Sequence, residues 1–179
     1  MRRTLNNSRS RLILVLGGAA SGKSQAALQQ AGGRGPKAFV ATGQALDAEM
    51  TARIARHRAT RSRDWDTAEV PRDLTAWFCS EGKAYRTIVV DCLTLWLSNV
   101  CGARVAKVDM TGYVGELIEA IRAASARVVL VSNELGFGLV PVNRRARAFR
   151  DVGGRMNQQI AEAADEVYVV ISGQSLRLK

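Results

Sequence analysis

The chain has 179 residues, 47% of them apolar, and carries 26 lysines and arginines against 16 acids, a formal charge of +10. This length and apolar content suit one compact domain with a buried core. No apolar stretch approaches the roughly 18 residues a membrane-spanning helix needs, so no span is expected.

Met1 to Arg11 is basic and polar and has no apolar signal core, so residues 1–11 read as a disordered extension ahead of a single domain over 12–179. Leu12 to Leu16 is an apolar run long enough for a buried parallel strand. Directly after it, Gly17-Gly18-Ala19-Ala20-Ser21-Gly22-Lys23-Ser24 matches the phosphate-loop pattern GxxxxGK(S/T), and Gln25 to Gln30 is rich in helix formers. Strand, loop and helix are in the order the motif requires. Glycines let the backbone turn tightly and aim successive N–H groups at phosphate oxygens, beside the positive end of the helix. In this pattern Lys23 reaches the β- and γ-phosphates, and the Ser24 hydroxyl joins a Mg²⁺ shell. A nucleoside triphosphate is the expected ligand.

A second apolar run at 38–41 is followed by a helical pattern from Asp47 to Ala59, with Met50, Ile54 and Ala55 on its apolar side. Spacing of four puts Glu49, Arg53 and His57 on one face. His57 is the only histidine, and it sits among Arg53, Arg56, Arg58, Arg61 and Arg63. A surface histidine without a role is one reading. The other is a nucleophile toward phosphorus, because neighbouring cations disfavour the protonated imidazole.

Thr87 to Asp91 is an apolar strand ending in a carboxylate, the form of a Walker B segment whose acid holds Mg²⁺. Runs at 128–131 and 167–171 follow. After the last, Ser172-Gly173-Gln174 and Ser175 to Leu178 suggest a terminal hairpin, and so an antiparallel edge strand. Strands alternating with helical segments predict an α/β fold with a mostly parallel sheet flanked by helices.

Positive charge is clustered. Arg2, Arg3, Arg9 and Arg11 fall in the extension, five arginines surround His57, and Arg144, Arg145, Arg147, Arg150 and Arg155 stand against Asp151 alone; the remainder is net acidic. Arginine inside a folded domain suits bidentate capture of phosphates, and a solvated helix face is the plainer alternative. No aromatic residues interleave with the clusters, which argues against a stacking platform for nucleic acid. Cys79, Cys92 and Cys101 lack metal-ligand spacing and read as buried reduced thiols of a cytoplasmic protein.

Three blocks of residues carry a resemblance. They are Gly17–Ser24; Ala41-Thr42-Gly43-Gln44 with Asp47, Glu49, Met50, Arg53, Ile54, His57, Arg58, Arg61, Trp65, Thr67 and Glu69; and Asn133-Glu134-x-Gly136-x-Gly138-x-Val140-Pro141 with Phe149-Arg150-Asp151, Gly154 and Asn157-Gln158. With Asp91 they run in order across nearly the whole chain after the extension. The pattern resembles the bifunctional adenosylcobinamide kinase / adenosylcobinamide-phosphate guanylyltransferase family of cobalamin biosynthesis. The resemblance implies a RecA-like sheet, a homotrimer, and His57 as the carrier of GMP taken from GTP. It further implies nucleotide contacts at Gly17, Gly18, Ala19, Ala20, Ser21, Gly22, Lys23 and Ser24, at Ala41, Thr42 and Gly43, at Arg58, Ala59, Thr60 and Arg61, and at Glu69 and Asp91. Adenosylcobinamide and its phosphate are the implied acceptors.

The sequence departs from the family pattern at Ala20, where Arg is usual, at Leu28, where an acid is common, and at Ser62, where Pro is frequent. Two other readings use the same motifs: a RecA-like ATPase that binds nucleic acid through its arginines, and a small-molecule kinase in which His57 has no part. Glu134, at the end of the 128–132 run, is a candidate base or water-positioning residue, with a structural role as the alternative.

Overall fold

The computed structural model describes residues 10–49, 51, 52, 55, 62 and 64–179. Seven strands form one sheet: β1 (Arg11–Gly17), β2 (Lys37–Ala41), β3 (Trp65–Glu69), β4 (Thr87–Asp91), β5 (Arg127–Asn133), β6 (Glu166–Ile171) and β7 (Gln174–Arg177). Their order is β3-β2-β4-β5-β1-β6-β7, with every pairing parallel except β6 with β7. The predicted hairpin and antiparallel edge strand are therefore present. The helices are α1 (Lys23–Ala31), α2 (Leu74–Ser80), α3 (Leu93–Cys101), α4 (Met110–Ala124) and α5 (Arg144–Ala163).

Period-two alternation divides the central strands between two cores. Leu12, Leu14, Ile88, Val90, Val128 and Leu130 face α2, α3, α4 and α5, while Ile13, Val15, Val89, Val129 and Val131 face α1. Both faces are covered, which is why these strands read as unbroken apolar runs. One strand escapes that signal. β3, Trp-Asp-Thr-Ala-Glu, lies at the sheet edge with no fully buried residue, so it carries no apolar run.

Two expectations are corrected. Arg11 belongs to β1, where it aligns with Arg127 and forms an ion pair with Glu166; the other residues of the expected extension, Ser10 apart, lie outside the described residues. Cys79 is exposed, because α2 turns Leu74 and Phe78 into the core and Cys79 away from it; Cys92 and Cys101 are buried, and all three are free thiols. Of the helix expected over Asp47–Ala59, Ala48, Glu49, Thr51, Ala52 and Ala55 are helical, and the rest lies outside the described residues. Among the described residues no helix is long and apolar enough to cross a membrane.

Candidate active site

The Gly17–Ser24 loop leaves β1 and enters α1 at the C-terminal edge of the sheet. Two of its glycines are required by shape. A Cβ on Gly17 would stand 2.5 Å from the Val170 carbonyl oxygen and 2.7 Å from Ser21 Oγ. Gly22 has φ of 96° and lies against Gly173, where its Cβ would meet a Cα at 3.3 Å. Ala20, one of the departures from the family pattern, adopts the left-handed conformation with φ of 53°.

The first turn of α1 has neither a side-chain cap nor an acidic residue. By contrast Asn143 caps α5 by accepting from Arg145 N and Ala146 N, and Asp109 caps α4 by accepting from Thr111 N. The N–H groups that open α1 are thus left for an anion. Lys23 is 8% exposed, and its ammonium donates to the Gly18 carbonyl inside the loop. Ser24 Oγ donates to Asp91 Oδ2 at 2.6 Å. Ser24 and Asp91, 67 residues apart in the sequence, thus lie side by side.

Register extends the site across the sheet. Glu69, Ala41 and Asp91 lie abreast at the ends of β3, β2 and β4. With strands about 4.8 Å apart, Glu69 stands roughly 10 Å along the edge from Asp91. A pocket of about 580 Å³ opens there, lined by Gly43, Gln44, Ala45, Thr51, Ala55, Glu69 and Pro71. Thr42 is fully buried and committed inward. Its hydroxyl donates to the Cys92 carbonyl and accepts from Cys92 N, its N–H donates to Asp91 O, and its carbonyl accepts from Asn99 Nδ2. Asn99 also donates to Pro71 O. Thr42 therefore fixes the pocket wall, while Gly43 lines the pocket itself.

Burial pushes the Cys92 thiol up to about 11, and the Asp91 carboxylate beside it adds to the effect, so it stays a protonated, inert packing group. Of the basic cluster over 144–155, Arg145 donates to Gly102 O, Arg147 to Pro141 O and Val142 O, and Arg150 to Gly136 O and Gly138 O. Those three arginines hold the chain's own loops. His57, Arg58, Ala59, Thr60 and Arg61 lie outside the described residues. Asn99 and Thr94 went unread in the sequence because they sit inside an apolar helical pattern. Their signal was position: both follow closely on the strand that ends in Asp91.

A model of the cobinamide kinase / cobinamide phosphate guanyltransferase family matches residues 13–178. The bifunctional adenosylcobalamin biosynthesis protein CobU of Salmonella typhimurium is 39% identical over 180 residues, covering 94% of this chain and 99% of that protein. The bifunctional adenosylcobalamin biosynthesis protein CobP of Pseudomonas aeruginosa is 41% identical over 167 residues, covering 93% and 96%. Among solved structures, the P4 protein of bacteriophage phi6 in complex with ADP superposes with a TM-score of 0.50 at 15% identity, over 93% of this chain and 52% of its own. A KaiC-like protein from Pyrococcus horikoshii gives 0.50 at 12% identity, over 90% and 71%. These distant likenesses show the fold, a P-loop sheet of RecA type. The curated relatives, matched almost end to end, show more: the chain belongs to the cobinamide kinase / cobinamide phosphate guanyltransferase family.

Proposed function

We propose that this protein phosphorylates adenosylcobinamide with ATP or GTP and then transfers GMP from GTP to the product, giving adenosylcobinamide-GDP in cobalamin biosynthesis. The observation that carries the reading is the Ser24–Asp91 pair beneath an uncapped phosphate loop, in a chain of this family.

In the kinase step the triphosphate lies along Gly17–Ser24, with backbone N–H groups on its oxygens. The hydroxyl of the aminopropanol arm attacks the γ-phosphorus, and the bond to the β,γ-bridging oxygen breaks. Lys23 offsets the charge on the transferring group. Ser24 Oγ and Asp91 Oδ2 are hard oxygen donors of the kind Mg²⁺ takes beside nucleotide phosphates, and they fit that ion. Bound there, Mg²⁺ would neutralise charge on the β- and γ-phosphates.

In the transferase step His57 attacks the α-phosphorus of GTP. A nitrogen–phosphorus bond forms and pyrophosphate leaves; the phosphate of the first product then displaces the histidine. Arg58 and Arg61 serve the nucleotide phosphates, with Ala59 and Thr60 between them at the same contact. Support for a purine across β2 and β3 comes from the 580 Å³ pocket between Gly43 and Glu69. The Glu69 carboxylate is an acceptor suited to the N–H groups of guanine, which favours GTP. Assembly as a cytoplasmic homotrimer belongs to the same proposal, and the exposed side chains of Phe137, Leu139, Val140 and Val142 offer it an apolar surface.

Two labels on GTP test the function. From the γ-position, label should pass to adenosylcobinamide. From the α-position, it should appear on the protein as an acid-labile, base-stable adduct and then chase into adenosylcobinamide-GDP. Failure of both transfers would sink the reading.

A further inference from the structure

We infer that Glu134 is the general base of the kinase step, taking the proton from the acceptor hydroxyl as that oxygen attacks the γ-phosphorus. The inference rests on the kinase reading and adds the residue that reading leaves open.

The strand order places β5 between β4, which ends in Asp91, and β1, which feeds the phosphate loop. Asn133 is level with Gly17 in the parallel pairing, and Glu134 is one residue beyond. The Glu134 N–H donates to the Gly17 carbonyl at 3.0 Å, so this residue is tied to the first residue of the loop. Three carboxylates stand at, or one residue beyond, the strand ends on this edge: Glu69, Asp91 and Glu134. Asp91 is taken by the Ser24 hydroxyl, and Glu69 lines the pocket four strand spacings, about 19 Å, from β1. Glu134 therefore stands at the end of the strand that lies between the one ending in Asp91 and the one feeding the phosphate loop.

The backbone beneath it is held from both sides. Asn133 N donates to Thr94 Oγ1 at 2.9 Å, and Asn133 O accepts from Asn157 Nδ2 at 3.1 Å; Thr94 and Asn157 are both buried. The carboxylate itself accepts from Gly136 N at 2.9 Å, which fixes its direction and leaves further lone pairs open. An alcohol attacking phosphorus must lose its proton, and a carboxylate in place takes it as the oxygen–phosphorus bond forms and the nucleoside diphosphate departs.

The two half-reactions supply an internal control. Adenosylcobinamide phosphate attacks through an oxygen that is already ionised and needs no base; as we read the site, GTP is seated on the phosphate loop in both reactions. Glu134→Gln keeps the shape and an acceptor for Gly136 N. It should slow phosphorylation of adenosylcobinamide by about 100-fold or more, mainly in kcat. Guanylyl transfer to adenosylcobinamide phosphate should stay within about twofold of wild type, as should protein labelling by α-labelled GTP. The same preparation's transfer rate serves as the reference if the substitution also lowers the unfolding temperature. Unchanged phosphorylation would overturn the inference, and so would a parallel fall in both half-reactions, which would mark Glu134 as a prop for the loop. Wild-type protein that transfers no phosphate to adenosylcobinamide would instead overturn the functional reading underneath.

Discussion

At the N-terminal edge of the sheet, Arg122 donates to Asp165, Ser10 O and Ala163 O, Leu12 N donates to Asp165 at 2.7 Å, and Arg11 and Arg177 flank a buried Glu166. At the C-terminal edge, α1 begins without a cap, and the buried Ser21 Oγ and Asn157 Oδ1 find no partner among the described residues. The first edge pairs its polar groups with each other, Glu166 Oε1 through its ion pair with Arg11, whereas at the second Ser21 and Asn157 hold buried atoms that no described residue meets. Unmatched polar groups and a tight glycine loop cost stability, and a binding edge is where a protein tolerates that cost. Substitutions at the two edges should therefore separate activity from stability.

The largest effect is expected at the loop. Lys23→Ala should lower the rate of adenosylcobinamide phosphorylation by about 10²–10³-fold while leaving the unfolding temperature nearly unchanged, because the ammonium acts on charge that develops in transfer. A steady-state assay with a parallel melt checks this, and near wild-type turnover would remove the loop from the chemistry.

Gly17→Val breaks the comparison by striking both properties. Its Cβ would collide with the Val170 carbonyl, at a cost of about 1–3 kcal/mol, or an unfolding temperature lower by about 2–10 °C, with nucleotide binding lost as the loop shifts. Calorimetric titration with GTP beside the melt would show whether the two fall together.

Asp165→Asn tests the opposite edge. Burial would raise this carboxyl, but hydrogen bonds from Arg122 and from Leu12 N hold it below its ordinary value of 3.8. A depressed carboxyl stabilises the fold above its unfolded value, and the contribution fades as pH falls from about 4 through the lower folded value. Because the side chain is 43% exposed, screening leaves about 1 kcal/mol. The variant should melt about 2–4 °C lower near neutrality, show a weaker dependence on acid, and keep both rates. Melts at a series of pH values decide it.

Arg150→Ala should do least. Its bonds to Gly136 O and Gly138 O, at 3.2 and 3.3 Å, lie at the surface, so stability should change by less than about 0.5 kcal/mol and GTP affinity should not move.

Much of the C-terminal edge was legible in the sequence because its parts leave local marks. Gly17, Gly22, Lys23 and Ser24 have fixed spacing, and an apolar run points to Asp91. The central strands were legible because burial on both faces demands unbroken apolar runs, and the Ser172–Gly173 turn announced the edge hairpin. β3 left no such mark. As a half-polar edge strand it was visible only through the family pattern that contains Trp65, Thr67 and Glu69. The alignment of Glu69 and Ala41 with Asp91 is a property of register, which no local spacing records. The commitments of Arg147 and Arg150 to loop carbonyls were equally hidden, since a cluster of charge does not name its partners.

The central claim is that one chain performs two transfers, and that only one of them runs through His57. His57→Ala, incubated with GTP labelled at the α-phosphate, measures this most directly, because no other imidazole exists in the chain to substitute. The account predicts no guanylyl adduct and no adenosylcobinamide-GDP, with phosphorylation of adenosylcobinamide by Lys23, Ser24 and Asp91 largely retained. An adduct that persists in this variant would place the nucleophile elsewhere and contradict the account.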